Sequence, residues 1–555
     1  MNIRTVSLAF LLVFFTAEYA CPQITADSLM RTMSLHDKIA QMFITNSDGF
    51  NYDGSSEEFQ RLQKLVSEQK IGGIIFFKGY SLDQAKLTNR LQNLAGIPLL
   101  ISADYERGTN MRLLDGSLFP NNMAIGASRN SLLAYQMGLL IAKECKALGV
   151  HQNYSPVLDV NNNPDNPIIN VRSFGEDPML VSEMGNQMIR GLQDGGVIAT
   201  AKHFPGHGDT DVDSHNDLPV IPYDMERLKS IELVPFVSAI QNNVGSVMIA
   251  HLSVPALEKI PNVPASLSPA IVNDLLINEL NFKGLIVTDA LNMYGVTKNF
   301  SDDEIAVRCV KAGIDMILML QNIPTAINSI QKKVLSGEIS EDRIDVSCRK
   351  ILEAKIHLGL LSNKLVNENL VSININTPDE QALSQQIADE SITLVKDDFD
   401  LKEFPSVNIL PINTIKDSKS TGIFNQEFSY AFKNIKTINF PAQNLPDIKN
   451  ELFIIPIFSK VLYKSGTVGI SQEYIDNINL LLQNNNKVII ISYGNPYLIK
   501  GFPEVNGYLC AYGDGESSIK AAIKVLKGEI PAKGKLPVTI SENFKYGFGI
   551  NKIIK

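Results

Sequence analysis

Not one of the 555 residues is tryptophan, so no binding surface of this chain can be built on indole stacking. Cysteine is almost as scarce: five residues, Cys21, Cys145, Cys309, Cys348 and Cys510, lie far apart without the spacing of a metal site. Cys145 falls on an apolar helical face and Cys510 in an apolar strand, where a small buried thiol is the ordinary occupant. Cys309 and Cys348 could meet in an exported chain, but nothing in the sequence pairs them and no disulfide is expected. An excess of positive charge is also missing. With 50 Lys and Arg against 59 Asp and Glu, the net charge is −9, which leaves no electrostatic footprint for nucleic acid and disfavours anionic lipid. Beyond the first twenty or so residues no apolar run reaches the ~20 residues that a membrane helix needs.

The N-terminus does carry a short apolar run. Arg4 precedes the segment 6–17, VSLAFLLVFFTA, which ends abruptly before Pro22 and Gln23. It is too short to span a bilayer comfortably and has the shape of the apolar core of an export signal. Residues 1–21 are therefore read as a signal peptide, and the mature chain as secreted or periplasmic. Ala17 and Ala20 offer small residues near a cleavage point, and Cys21 follows at once. Glu18 and Tyr19 fit a lipoprotein signal poorly, so a lipid anchor on Cys21, and with it an outer-membrane lipoprotein, stays open beside plain secretion.

With 45% hydrophobic and 20% charged residues the composition is globular, and the length calls for more than one core. From residue 24 to 361 short apolar stretches alternate with segments of helical period. Strands are expected near 41–45, 72–77, 98–104, 151–157, 197–203, 246–251, 284–289 and 316–320. Helical patterns such as 81–91 and 131–143 lie between them. This alternation predicts a parallel sheet with crossover helices, and about eight repeats predict a (β/α)8 TIM-type barrel. A helical segment at 341–360 and a polar stretch at 362–370 follow. Residues 375–555 then read as a smaller α/β three-layer sandwich domain, with strands near 392–396, 452–457, 488–492 and 508–512.

The predicted barrel strands end in reactive residue types: Asp104, then Lys202 with His203, then His251, then Asp289. In such a barrel the C-terminal strand ends form the mouth, so these side chains should converge there. Taken one by one they have plainer readings, since His203 or His251 could be a satisfied core histidine and Asp289 a helix cap. The densest chemistry is the stretch 202–215, KHFPGHGDTDVDSH, with three His, three Asp and one Lys. Pro205, Gly206 and Gly208 make it a loop. Asp213 and His215 are two apart, so in extended chain they share a side, and the carboxylate can hold one ring nitrogen while the other faces out. A histidine with pKa ~6.5 is protonated about one time in four near neutral pH, against about one in 500 for a glutamic acid, and a nearby aspartate raises that fraction. The pair suits proton donation to a leaving oxygen.

At this point the resemblance becomes specific. The stretch 202–215 resembles the signature of the β-N-acetylglucosaminidases of glycoside hydrolase family three. So do NVRSFGEDP at 170–178, PVLDV at 156–160, VTDALNM at 287–293 and, in the second domain, GKLPVT at 534–539. The resemblance implies a carbohydrate substrate and an exo-acting, retaining double displacement releasing terminal N-acetylglucosamine from peptidoglycan fragments or chitin oligosaccharides. It implies Asp289 as nucleophile, His215 as acid and then base with Asp213 as its partner, and Asp104, Arg172, Lys202 and His203 as sugar-binding residues. No cofactor or metal is implied. One departure stands out: where the family typically reads DQEGGR, this chain has DYERGT at 104–109, which sets the substitutions Tyr105 and Arg107 near the expected mouth and puts the leaving-group preference in question. The lack of Trp fits a single pocket for a terminal sugar better than an extended glycan cleft.

Two rivals follow from the same residues. His203, His207, Asp209 and His215 are ligand types for a metal-dependent hydrolase, but their spacing matches no helix-borne zinc motif and Lys202 beside them would repel a cation. A β-glucosidase of the same family is the nearer alternative, although such enzymes generally lack the Asp-Ser-His arrangement.

Overall fold

Eight short strands form the first sheet: β1 (Phe43–Gly49), β2 (Gly73–Gly79), β3 (Leu100–Ala103), β4 (Gln152–Asn153), β5 (Ile198–Phe204), β6 (Ser246–Ile249), β7 (Leu285–Thr288) and β8 (Ile317–Leu318). The computed structural model describes residues 25–210, 218–415, 419–438, 448–459 and 469–554. The signal-peptide reading of residues 1–21, including Cys21, thus lies outside the described residues, as do Asp213 and His215. Every neighbouring pair in the sheet is parallel and follows chain order, β1 also pairs with β8, and a bridge between Val287 and Met316 joins the last two repeats. The sheet is closed, and the expected (β/α)8 barrel is what forms.

Strands β3, β6 and β7 are buried at every position, as a parallel sheet with helices outside and packed side chains inside requires. Around them the helices are positioned by local signals. Asp177 caps the helix Pro178–Asp194 by accepting from the Leu180 amide, and Pro178 begins it, where a missing N–H costs nothing. That helix packs along Ser131–Leu148 so closely that a Cβ on Gly191 would stand 2.1 Å from the Tyr135 carbonyl oxygen. The strand expected at 151–157 pairs only over Gln152–Asn153. Pro156 has no N–H for a ladder, and the chain turns there before Val157 bridges to Lys202.

The second sheet holds β9 (Thr393–Asp397), β10 (Val407–Ile409), β11 (Ile412–Asn413), β12 (Ile435–Thr437), β13 (Leu452–Phe458), β14 (Lys487–Ser492) and β15 (Gly507–Cys510). The order is β12-β10-β13-β14-β15-β9, with β11 beside β13 and β9 antiparallel at the edge. Alternate residues of β13 and β14 face opposite ways. Ile454 and Ile489 meet Phe424 and Ile519, while Ile455 and Ile490 join the core that contains Ile478 and runs on into the barrel. This is a three-layer sandwich. Strands β10, β11 and β12 escaped the sequence reading because two or three residues are too few to show a period.

Two of the quoted motifs hold the sheets together. The Glu176 carboxylate accepts from the Thr539 amide and hydroxyl, each at 2.6 Å, and the Glu176 amide donates to the Pro537 carbonyl at 2.9 Å. The four described cysteines are buried and free, and among the described residues no helix is long and apolar enough to cross a membrane.

At the barrel's N-terminal end, opposite the mouth, Lys355 is wholly buried and donates to Gln41 Oε1 at 2.6 Å. Burial pushes its pKa down from 10.5 to about 7. The unfolded chain therefore binds more protons than the folded one between pH about 7 and 10.5, so the cost of this lysine grows as pH falls through that window and is absent above it. Lys355→Met should raise Tm by a few degrees at pH 6 and by much less at pH 10. Thermal unfolding at the two pH values checks this, and an equal gain at both would contradict it.

Candidate active site

The closed barrel carries Asp104 just past β3, Lys202 and His203 within β5, His251 beyond β6 and Asp289 just past β7, all at C-terminal strand ends. The loop after β4 adds Asp159 and Arg172. Lys202 lies at the centre, 2% exposed, with its ammonium 2.8 Å from Asp104 Oδ1 and 2.7 Å from Glu106 Oε1. Both acids also meet guanidinium groups: Arg112 reaches Asp104 Oδ2 at 3.0 Å, and Arg172 grips Glu106 in a fork, at 2.7 Å to the Oε1 shared with Lys202 and 3.0 Å to Oε2. Two carboxylates and three cations thus form one network.

Burial alone would raise the pKa of both acids, but for Asp104 the charges of Lys202 and Arg112 outweigh it, and for Glu106 those of Arg172 and Lys202 hold the group well below the usual range. Burial would lower Lys202, yet the two carboxylates lift it above an ordinary lysine. All members stay charged, and the network presents fixed charge to hydroxyl groups of a substrate without reorganising.

Beside it runs a second chain of contacts. His203 Nδ1 is 2.7 Å from Asp159 Oδ2, and its Nε2 is 3.4 Å from Arg172 Nη2. A carboxylate only accepts and a guanidinium only donates, so this arrangement fits a ring with its proton on Nδ1. Asp159 also accepts from the His203 and His207 backbone amides at 3.2 and 2.6 Å. His207 Nδ1 lies 2.9 Å from the Thr210 hydroxyl. Burial pushes the His207 pKa down to about 4, keeping the ring neutral near pH 7. Asp159 therefore fixes the base of the stretch 202–215 up to Thr210.

Asp289 faces the mouth across the barrel from Asp104. Burial pulls its pKa up, but His203, His251, the Ala290 amide and Lys202 together hold it below the usual carboxylate range, so it is ionised. Its Oδ1 accepts from the Ala290 amide at 2.8 Å. His251 proves to be the satisfied core residue: Nδ1 meets the Ser266 hydroxyl at 2.8 Å and Nε2 the Ala290 carbonyl at 3.1 Å. It steadies the turn carrying Asp289.

Of the residues singled out from sequence, Asp104, Arg172, Lys202, His203 and Asp289 come together. Glu106, Asp159 and Arg112 were given no role there, although Glu106 stands two positions after Asp104 and Asp159 lies inside PVLDV. Tyr105 is not at the mouth. It is fully buried, with its hydroxyl 3.4 Å from Gln84 Oε1. Among the described residues no group of three His, Cys, Asp or Glu is placed to hold a metal ion.

The fold and this mouth define a barrel enzyme that works on a polar, hydroxyl-bearing substrate. The profile of the glycosyl hydrolase family 3 N-terminal domain matches residues 34–354, and the chain belongs to that family of glycoside hydrolases. It is 29% identical over 551 residues to β-hexosaminidase A of Pseudoalteromonas piscicida, covering 86% of this chain and 91% of that protein. A β-N-acetylglucosaminidase/β-glucosidase of Cellulomonas fimi is 26% identical over 84% of this chain and 88% of its own length. The solved structure of a family 3 β-N-acetylglucosaminidase from Paenibacillus sp. FPU-7 superposes with a TM-score of 0.80 at 31% identity, covering 92% of this chain and 99% of that one.

Because Lys202 separates two buried acids, Lys202→Met should lower the unfolding free energy by about 3–5 kcal/mol, the usual result of stranding a buried charge. Denaturant titration reads this directly. A loss below about 1 kcal/mol would mean that Arg112 and Arg172 suffice to hold both carboxylates.

Proposed function

We propose that the protein is an exported, retaining exo-β-N-acetylglucosaminidase that releases terminal N-acetylglucosamine from peptidoglycan fragments or chitin oligosaccharides. The observation that carries the reading is Asp289, an ionised carboxylate facing the mouth opposite the network of Asp104, Glu106, Lys202, Arg112 and Arg172. The names of the relatives support the sugar, and the apolar run at 6–17 supports export, with lipid attachment at Cys21 as the variant of that route.

In this mechanism the sugar hydroxyls and acetamido group are held by Asp104, Arg172, Lys202 and His203. An Asp289 oxygen attacks the anomeric carbon, the bond to the leaving oxygen breaks, and that oxygen takes the proton of His215. Asp213 stabilises the imidazolium before transfer. Water then gives a proton to His215 and attacks the same carbon, releasing Asp289 and the sugar with retained configuration. The anchoring of His207 by Asp159, and of Thr210 by His207, supports this role for the residues that follow.

Hydrolysis of an aryl β-N-acetylglucosaminide should exceed that of the matching β-glucoside at least tenfold in kcat/KM, and Asp289→Ala should reduce both to background. A preference for the glucoside would replace this reading by that of a β-glucosidase. Unchanged turnover in the variant would remove Asp289 from the mechanism, and parallel product analysis on muropeptides and chitobiose separates the two natural substrate classes.

The lowered pKa of Asp289 gives a second outcome. Since kcat/KM needs its ionised form and the folded pKa lies below the ordinary ~4, the acid limb of the profile should fall only beneath about pH 4. A limb centred at pH 5–6 would assign acid-side control to another group.

A further inference from the structure

Between the loops after β3 and β4 and the second domain lies a cavity of about 270 Å³. Its walls hold six buried polar atoms that have no hydrogen-bond partner within the protein: Arg107 Nη1, Asn122 Oδ1, both amide atoms of Asn170, Ser459 Oγ and Tyr493 Oη. Tyr493 and Asn122 are 1% exposed, Asn170 3% and Ser459 4%. The approach of Arg107 Nη1 to Asp514 Oδ1, at 3.6 Å, is too long to be a hydrogen bond. Native interiors leave few such groups unsatisfied, and a cluster of them around one space calls for a polar occupant.

The chemistry of the walls narrows that occupant. Charges are already paired, Arg107 with Asp514 across the domains and Arg172 with Glu106 at 2.7 Å, so the site favours no net charge. Arg107, the Asn170 amide nitrogen and two hydroxyls can donate, while two amide oxygens and the same hydroxyls can accept. Ile168, Val171 and Ile415 supply an apolar flank. A ligand that both donates and accepts around its edge, and is apolar on its face, is a sugar ring. The volume lies below the ~300–1,000 Å³ of pockets for drug-sized ligands and suits one ring.

The location separates this site from the reacting sugar's leaving group. In the closed ring of eight strands β3 and β7 are diametrically opposed, so the cavity stands across the mouth from Asp289, behind the Glu106–Arg172 pair. We propose that this cavity between the domains is a second sugar site, which takes one neutral hexose or N-acetylhexosamine and is distinct from the position where hydrolysis occurs. Because Glu106 and Arg172 form its shared wall with the catalytic mouth, an occupant would also brace the pair that Lys202 holds from the other side.

Calorimetric titration of the full chain with N-acetylglucosamine, and in parallel with glucose, tests this. Wild type should bind two equivalents of at least one of these sugars. The double variant Tyr493→Phe/Ser459→Ala should weaken the second equivalent at least tenfold, leave kcat/KM on an aryl substrate within about twofold, and keep its Tm, since it removes hydroxyls that had no partner. The proposal is overturned if neither sugar binds beyond one equivalent, or if the double variant binds both equivalents as wild type does. Failure of the hexosaminidase reading would look different: aryl β-N-acetylglucosaminide turnover would be missing, while the variant-sensitive equivalent remained.

Discussion

The ammonium of Lys202, wedged between Asp104 and Glu106, is the contact on which the mouth depends. Remove its charge and two buried carboxylates from the same loop face each other within a low-dielectric space, where like charges repel most strongly. With it in place, Asp104 and Glu106 can both stay ionised, and each keeps an oxygen for a guanidinium, Asp104 Oδ2 for Arg112 and Glu106 Oε2 for Arg172 Nε. The guanidinium of Arg172 in turn lies against His203, whose other nitrogen is held by Asp159. Contributions from the loops or ends of β3, β4 and β5 are thereby locked to one another by charge as well as by the sheet. The charges of the mouth are held by the protein's own contacts, and charges positioned in advance are those that lower a barrier.

The same logic extends to the second domain. Arg172 and Glu176 belong to one motif, and the Glu176 carboxylate is spent on Thr539 of the other sheet. The stretch from Arg172 to Glu176 is therefore held at one end by the charge network and at the other by the domain contact. A displacement of the second domain would be felt first at Arg172. This gives the smaller domain a physical part in shaping the mouth even if none of its side chains touches the reacting sugar.

How much of this was readable beforehand follows from the range over which each signal acts. The barrel was legible because each of its strands is a short apolar run between helical patterns, a local signal repeated eight times. Asp104, Lys202, His203 and Asp289 were legible because they follow such runs directly. Glu106 and Asp159 needed three-dimensional knowledge: Glu106 has a role only because Lys202, about a hundred positions away, lies 2.7 Å off, and Asp159 because His203 turns toward it. His251 gave the same sequence signal as Asp289 and proved to be packing. A polar residue at a strand end says where a side chain starts, not whether a neighbour has already taken its hydrogen bonds.

The departure of residues 104–109 from the family pattern illustrates the same limit. Read linearly, Tyr105 and Arg107 stand near the mouth. In the fold the loop leaves β3 with alternate residues turned to different partners. Tyr105 goes into the core, and the Thr109 hydroxyl donates to Glu144 at 2.7 Å. Gly108, at φ 100°, passes where a Cβ would stand 2.3 Å from the Ser117 carbonyl oxygen, so the path allows no side chain there. Only Arg107 is turned toward the second domain, and Asp514 answers it. Meanwhile Arg112 gives Asp104 its guanidinium from beyond the altered stretch. The substitutions therefore leave the charges that face Asp289 in place and change what lies behind them, so the distinctiveness of this chain belongs to the seam between its domains.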